Sequence, residues 1–226
     1  MLKLFTFMFL FLTGCGWPCQ GMAASREEYL AHKIASASVV IEVYFAGNYF
    51  PIGSGTLIHD KDLGDLVVTA EHVATAAPLS YQACSVLDTT QCVALNNFLV
   101  DWDDGIETDW ALYGVTDLPH IMRPTKVSHE QLHLGQQLWQ AASPEGRVAF
   151  INPATLAWID VTAWGKMYML SGFVRPGSSG SGVFDLSGRL IGITVATPVY
   201  RNPVTGLPEI EPSQPIVVPI TNCPLL

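Results

Sequence analysis

The stretch Pro176–Phe184 reads PGSSGSGVF and places Ser179 among glycines, immediately ahead of an apolar segment. A nucleophilic serine requires a backbone that turns its amide hydrogens toward the oxyanion of a tetrahedral intermediate, and glycine permits such a turn. The alternative is a flexible linker, but a linker is not followed directly by an apolar strand and by a hairpin turn at Ser187-Gly188. The stretch therefore predicts a reactive serine just before a β-hairpin.

Two further short motifs lie upstream, each where a predicted strand meets a loop. Val67–Val73 reads VVTAEHV, so His72 follows an apolar strand, and Thr108–Leu112 reads TDWAL, so Asp109 precedes one. Each motif alone is weak evidence, because a single histidine or acid beside apolar residues is usually a structural group. Their order along the chain, histidine, aspartate and then serine, argues against the α/β-hydrolases, whose order is serine, acid and histidine.

Segments typical of β-strands follow one another at short spacing on both sides of a connector. Valine, isoleucine, threonine and aromatic residues dominate them, and Gly, Asp and Asn turns separate them. Arg26–Ile34 has a helical period, and the prolines between 198 and 215 indicate a loop. The pattern predicts two paired β-barrels, with residues 38–118 in the first, 119–133 in the connector and 134–226 in the second.

Together, the three motifs resemble those of the trypsin-like serine peptidases of the chymotrypsin superfamily, nearer the bacterial HtrA and glutamyl-endopeptidase branches than the digestive enzymes. The resemblance covers about residues 38–220. It implies an all-β, chymotrypsin-like double barrel of two six-stranded antiparallel β-barrels packed together. It also implies a serine endopeptidase without a cofactor, in which His72 is the general base, Asp109 orients it and Ser179 forms the acyl-enzyme.

The resemblance assigns the oxyanion hole to Gly177, Ser178 and Ser179, with the amides of Gly177 and Ser179 as the donors. Ser178 stands where the digestive enzymes carry the aspartate that pairs with a newly cut N-terminus, and the sequence contains no Ile-Val-Gly-Gly start. We therefore expect a fold that is active without zymogen cleavage. Only a few residues follow the last predicted strand, so we expect no PDZ domain of the kind that HtrA proteins carry.

The resemblance also indicates a substrate pocket. Phe173 stands where trypsins carry a pocket-floor aspartate, and Thr194 stands where glutamyl endopeptidases carry a histidine. Neither Phe173 nor Thr194 can form an ion pair with a charged substrate side chain. We therefore expect an apolar or small residue on the acyl side of the cleaved bond. The following edge is expected to pair with the peptide backbone as an added strand, and it comprises Thr194, Val195, Ala196 and Thr197.

The N-terminus has the features of an export signal. A lysine precedes the apolar run Leu4–Leu12, which at nine residues is shorter than the roughly 20 that span a bilayer. The run leads into LTGC, ending at Cys15, which resembles the lipobox at which a signal is cut before a lipidated cysteine; the rival is cleavage after Ala23 and ordinary secretion. We expect a signal peptide at 1–14 and a tether and N-terminal segment at 15–37, giving a lipid-anchored cell-envelope protein or a secreted one.

The cysteine count fits an oxidising compartment outside the cytoplasm. Lipidation of Cys15 would leave four of the five cysteines for pairing. Cys84 and Cys92 bracket SVLDTTQ, a spacing suited to a hairpin disulfide, and Cys19 is then left to meet Cys223. Buried free thiols are the alternative for both pairs.

Composition narrows the class of partner. Charged residues make up 14% of the chain and hydrophobic ones 49%, which indicates a globular protein rather than a disordered one. The formal charge is −9 and the 11 basic residues are scattered, so no cationic surface is available for nucleic acid or an anionic membrane. We expect a monomer that binds a protein or peptide substrate and reaches a membrane only through a lipid anchor at Cys15.

Three rival interpretations stay open. His129–His133 reads HEQLH and matches the HExxH signature of zinc metallopeptidases, although that signature requires a helix and a glycine follows two residues later. Acidic residues between 101 and 109 could hold calcium, but a solvated loop ahead of Asp109 is simpler, and we expect no metal. The third interpretation is a protease fold that has lost its activity and only binds a partner. The presence of all three motifs in their expected order argues against it.

Overall fold

The first element of the described chain is one short helix. The computed structural model describes residues 25–74, 79–102, 108–146, 150–162, 165–172, 174–197, 199–201, 208–210, 214–223 and 225–226. Helix α1 spans Arg26–Ala37 and begins with a capping box, in which the Glu28 N–H donates to the Ser25 hydroxyl while the Ser25 N–H donates to the Glu28 carboxylate. Ile34 on this helix is fully buried, and the chain passes from the helix directly into the first strand.

Strands make up most of the rest of the described chain. They are β1 (Ser38–Phe45), β2 (Asn48–Asp60), β3 (Gly64–Thr69), β4 (Tyr81–Ser85), β5 (Cys92–Ala94), β6 (Asn97–Trp102), β7 (Trp110–Gly114), β8 (Gln137–Ala142), β9 (Phe150–Thr162), β10 (Gly165–Ser171), β11 (Gly182–Phe184), β12 (Leu190–Ala196), β13 (Val199–Arg201), β14 (Pro208–Ile210) and β15 (Ile216–Pro219). The predicted all-β class is confirmed.

The first seven strands form one curled antiparallel sheet in the order β5-β4-β1-β2-β3-β7-β6. β1 pairs with β2 on one side and with β4 on the other. The resemblance implied six strands here, and the structure has seven because Cys92–Ala94 forms a separate edge strand beside β4. Within the described residues the two edge strands, β5 and β6, do not pair with each other, so this unit is a half-barrel.

The Cys84–Cys92 disulfide is confirmed. The two cysteines lie directly opposite each other on β4 and β5 and are bonded. Such bonds persist in oxidising compartments, which indicates an extracytoplasmic protein. Among the cysteines of the described residues, Cys223 is a buried thiol without a disulfide, and its burial raises the pKa of the thiol to about 11. Cys15 and Cys19 lie outside the described residues, as does the predicted signal peptide.

The second unit is a closed six-stranded antiparallel barrel in the order β10-β15-β12-β11-β8-β9. This arrangement confirms the predicted second barrel. The closed barrel and the curled seven-stranded half-barrel together have the architecture of a chymotrypsin-like double barrel. Its interior is filled by apolar side chains that include Leu138, Leu156, Leu170, Ile191 and Val217. The segment predicted as a proline-rich loop contains β13 and β14, which pair with each other outside the barrel.

The two units share one hydrophobic core. Leu57 and Leu112 of the first sheet belong to the same buried cluster as Phe184 and Ile193 of the second barrel. The connector joins them further, since isolated bridges pair Thr125 with β2 and Val127 with β12. This common core fixes the ends of β3, β7 and β11, where the three motifs lie, relative to one another.

The HExxH segment does not form a zinc site of the metallopeptidase kind. His129 to His133 have no helical turn, so the two histidines are not placed on one face of a helix. In the part of the chain that the structure describes, the one group of converging metal-ligating atoms is Glu42 with Cys84 and Cys92, whose sulfurs are bonded to each other. No described helix is long and apolar enough to cross a bilayer.

Candidate active site

Two neighbouring strands bring His72 and Asp109 together. His72 lies in the single 3-10 turn Glu71–Val73 after β3, and Asp109 immediately precedes β7, which pairs with β3. The His72 Nδ1–H donates to Asp109 Oδ2 at 2.6 Å, and the His72 backbone N–H donates to Asp109 Oδ1 at 3.2 Å. The carboxylate therefore holds both the ring and the backbone of the histidine.

The Asp109 carboxylate also selects the tautomer of His72. An ionised carboxylate only accepts hydrogen bonds, so the hydrogen of the neutral ring lies on Nδ1 and Nε2 keeps its lone pair. The Asp109 side chain is 13% exposed, whereas that of His72 is 46% exposed. The histidine is therefore the more exposed member of the pair and the aspartate the more buried one.

Ser179 lies on a turn of the second barrel that packs against the first sheet. The Ser54 N–H donates to the Ser179 carbonyl oxygen at 2.8 Å. A β-carbon added to Gly53 would overlap the side chain of Val73 and would lie 3.2 Å from the same Ser179 oxygen. Because Val73 directly follows His72, the segments that carry His72 and Ser179 both pack against Gly53, the first through the Val73 side chain and the second through its backbone. The structure therefore brings the segments that carry His72, Asp109 and Ser179 close together where the two barrels pack.

The residues before Ser179 form a type II turn. The Ser178 N–H donates to the Arg175 carbonyl oxygen at 2.8 Å, and Pro176 and Gly177 occupy the central positions. Gly177 has φ +88°, the left-handed value that the third position of this turn requires and glycine supplies. Of the described residues, none accepts a hydrogen bond from the N–H of Gly177 or Ser179. The Ser178 amide is committed to the turn, whereas the other two amides are available to a ligand.

A cavity of about 280 Å³ opens beside Ser179. It is lined by Val174, Arg175, Pro176, Ser179, Thr194, Ala196 and Thr197. Three of the four residues predicted for this edge thus line it, Thr194 and Ala196 on β12 and Thr197 directly after the strand. The fourth, Val195, belongs to the shared core, because successive side chains on a strand face opposite sides. Phe173, predicted for the pocket floor, lies outside the described residues.

Two buried polar side chains near the site were missed by sequence reasoning. Gln140 on β8 is fully buried and donates from Nε2 to Thr194 Oγ1 at 3.2 Å, behind the cavity. Ser54 on β2 donates from Oγ to the Gly177 carbonyl oxygen at 2.7 Å and accepts from the Ser143 N–H at 3.0 Å. No short motif signals either contact, because the partners are distant in the sequence. The one local signal for Ser54 is its position between two glycines, Gly53 and Gly55.

Comparison with known protein families agrees with this geometry. The trypsin-like peptidase domain matches residues 53–193, a stretch that is more than half of the chain and contains all three predicted catalytic residues. The chain belongs to the trypsin-like peptidase family. Membership confirms the resemblance inferred from the motifs and gives the enzyme class, a serine-type endopeptidase. No curated protein sequence matches this chain.

Solved protease structures share the fold of this trypsin-like peptidase at low sequence identity. The active form of the Rv3671c protease from M. tuberculosis has a TM-score of 0.61 at 16% identity, over 98% of this chain and 90% of that chain. The HtrA-type protease AlgW with a decapeptide has a TM-score of 0.64 at 15% identity, over 88% of this chain and 65% of that chain. This peptidase therefore spans about two thirds of the length of AlgW, and the similarity establishes the fold.

Proposed function

We propose that the protein hydrolyses peptide bonds with Ser179 as the nucleophile, His72 as the general base and Asp109 as the residue that orients the base. The observation that carries the proposal is the 2.6 Å hydrogen bond from His72 Nδ1 to Asp109, in a segment that packs beside the Ser179 backbone. A carboxylate at Nδ1 leaves Nε2 as the proton acceptor, which is what a serine nucleophile requires.

In the first half of the reaction, Ser179 Oγ attacks the carbonyl carbon of the scissile bond while His72 Nε2 takes the hydroxyl proton. Negative charge develops on the carbonyl oxygen, and the N–H groups of Gly177 and Ser179 stabilise it. His72 then gives its proton to the leaving nitrogen and the C–N bond breaks. The amine product departs, and the acyl group stays on Ser179 as an ester.

In the second half, water replaces the amine. His72 removes a proton from the water as the water oxygen attacks the ester carbonyl, and the same two amides stabilise the second oxyanion. The bond to Ser179 Oγ then breaks, and Oγ recovers a proton from His72. Asp109 stays ionised throughout and stabilises the imidazolium that forms twice in the cycle.

The cavity beside Ser179 supports a preference for an apolar or small side chain on the acyl side of the cleaved bond. Val174, Pro176 and Ala196 give it apolar walls, and the buried Thr194 hydroxyl is engaged by a neutral amide rather than by an ion. The Thr194 N–H donates to the Ser181 carbonyl oxygen, and the edge of β12 that continues past this bond would pair with the peptide backbone of the substrate. Cleavage of an unbiased peptide library would test this preference, and selection of acidic or basic residues would contradict it.

Replacement of the nucleophile tests the proposed reaction. Ser179→Ala is expected to lower kcat by roughly 10⁴- to 10⁶-fold, because the nucleophile is lost while the oxyanion amides remain. Ser187→Ala, at the tip of the β11–β12 hairpin, is the matched control and is expected to keep full activity. A purified, folded Ser179→Ala variant that cleaves peptides at the wild-type rate would contradict the assignment. A wild-type protein that cleaves no peptide would favour a catalytically silent binding protein.

We also propose that Cys15 is the lipidated N-terminus of the mature protein, which is a monomer in the cell envelope. The support is the LTGC segment directly after the apolar run. Two or more acyl chains on one cysteine give stable membrane binding, whereas one chain gives only marginal binding. Mass spectrometry of the mature N-terminus after expression in a bacterium tests the proposal. An unmodified start at Ala24 would contradict it and leave a secreted enzyme.

A further inference from the structure

Ser54 is bonded through its backbone and its side chain to the turn that precedes and contains Ser179. Its backbone N–H donates to the Ser179 carbonyl oxygen at 2.8 Å, and its hydroxyl donates to the Gly177 carbonyl oxygen at 2.7 Å. Its own carbonyl oxygen accepts from the Thr69 hydroxyl at 2.7 Å, and Thr69 ends the strand that leads to His72. Ser54 is 2% exposed, so water does not compete for these bonds.

The direction of the Ser54 hydroxyl bond is fixed by a third partner. The Ser143 N–H donates to Ser54 Oγ at 3.0 Å. Since Ser143 supplies the hydrogen in that bond, the single hydroxyl hydrogen of Ser54 is left for the Gly177 carbonyl. The result is a chain from Ser143 N–H through Ser54 O–H to Gly177 C=O, in which each bond polarises the next.

Gly177 is the residue of the turn that needs such a restraint. With no side chain and φ +88°, it can rotate more freely than any neighbour, whereas Pro176 has its φ fixed by its ring. Rotation of the peptide between Gly177 and Ser178 is opposed at one end by the Ser178 N–H bond to Arg175. At the other end, the Ser54 hydroxyl is the partner of the Gly177 carbonyl in the part of the chain that the structure describes.

We infer that Ser54 is a positioning residue of the oxyanion hole: through its hydroxyl, the first sheet holds Gly177 so that the amides of Gly177 and Ser179 converge on one oxygen atom. The inference rests on the proposed function, because it assigns a task within that reaction. Ser54 bonds to the carbonyl oxygens of Gly177 and Ser179, the Ser143 N–H and the Thr69 hydroxyl, and none of these groups reacts. Its effect is on the orientation of donors that act in the transition state, and such preorganisation lowers the barrier without tightening substrate binding.

The test compares Ser54→Ala with Thr125→Val. Both remove a buried hydroxyl that donates to a backbone carbonyl, and Thr125 donates to Gly188 at the far end of the β11–β12 hairpin. Ser54→Ala is expected to lower kcat on the order of 10- to 100-fold, less than the loss of a whole oxyanion donor, with KM within about twofold. Thr125→Val is expected to keep the wild-type kcat. Ser54→Cys retains a weaker donor, so its kcat is expected to fall between those of Ala and the wild type.

A second readout separates positioning from general destabilisation. The affinity of a peptidyl trifluoromethyl ketone, whose adduct carries an oxyanion, is expected to weaken in Ser54→Ala by the same factor as kcat/KM falls. The affinity of the cleaved product peptide of the same sequence is expected to stay within about twofold, and so is the midpoint of the pH–rate profile.

The outcomes distinguish this inference from the proposed function. A wild-type protein that cleaves no peptide removes the proposed function and the inference with it. A wild-type protein that cleaves peptides, with Ser54→Ala as active as Thr125→Val or with product and ketone affinities falling together, overturns the inference alone. If Ser54→Ala does not fold, Ser54→Cys carries the same comparison, and wild-type kcat in that variant overturns the inference as well.

Discussion

The α-carbon of Gly180 faces the carbonyl oxygen of Ser54 and the hydroxyl of Thr69 so closely that a β-carbon at this position would overlap both. Gly180 also has φ +82°, and its N–H donates to the Thr194 carbonyl oxygen at 2.7 Å. The residue after the proposed nucleophile is therefore held between the first sheet and β12. This contact therefore sets how closely the turn that carries Ser179 packs against the strand that leads to His72.

Gly180→Ala is expected to destabilise the protein by roughly 2–5 kcal/mol, because it adds an overpacking cost to the cost of a left-handed backbone. Gly47→Ala is the matched control, since Gly47 has φ +89° but nothing within 4 Å of its added β-carbon. It is expected to cost about 1–2 kcal/mol and to leave kcat/KM unchanged. Urea denaturation of both variants, with kinetics, measures the difference. Equal losses in the two variants would show that the close packing of Gly180 is wrong.

Asp109→Asn is expected to lower kcat by about 10⁴-fold while preserving the fold, because an amide that donates to Nδ1 would favour the wrong histidine tautomer. Asp103→Asn and Asp104→Asn, in the same acidic segment of the sequence, are the controls and are expected to change kcat little. Steady-state kinetics of the three purified variants give the comparison. If Asp104 proves essential and Asp109 dispensable, the assignment of Asp109 as the residue that orients His72 is wrong.

The buried Cys223 thiol predicts a loss of stability at alkaline pH. Its burial raises the pKa from an ordinary value of 9.0 to about 11. Between these values the unfolded chain releases a proton that the folded chain retains, so the free energy of unfolding falls as the pH rises through this window. Urea titrations of the wild type and Cys223→Ala at several pH values test the effect, which the variant is expected to lack. Equal pH dependence in both proteins would contradict it.

The same burial predicts that the native thiol is inert. Iodoacetamide at neutral pH is expected to modify Cys223 only after unfolding, because the thiolate is the reactive form and burial disfavours it. Peptide mapping by mass spectrometry measures the modification of Cys223 separately from that of the other cysteines. Rapid modification of Cys223 in the folded protein would place the thiol at the surface.

The features that could be predicted from the sequence are those encoded over a few neighbouring residues. The glycines around Ser179, the apolar strand before His72 and the spacing of Cys84 and Cys92 each specify a local geometry, and the structure contains each of them. A turn or hairpin needs only its own residues to be recognised. The double barrel was predicted mainly from the resemblance that these short motifs carry.

The features that were missed depend on contacts between distant residues. Ser54 and Gly177 are 123 positions apart, and Gln140 and Thr194 are 54 apart. The role of a buried polar side chain is set by the partner that the fold places beside it, and no local pattern names that partner. The seventh strand of the first sheet was missed for a related reason, since Cys92–Ala94 is too short to show a period and is defined by its pairing with β4.

The central claim is that Ser179 is a nucleophile activated by His72, and a fluorophosphonate probe tests it most directly. The folded protein is incubated with the probe, digested, and the position of the covalent phosphonyl group is determined by mass spectrometry. We expect one adduct, on Ser179 Oγ. No adduct is expected to form when the protein is denatured in urea before the probe is added, or in the His72→Ala variant, because a serine without its base and oxyanion donors is a weak nucleophile. An unlabelled folded protein, or an adduct on another residue, would contradict the account.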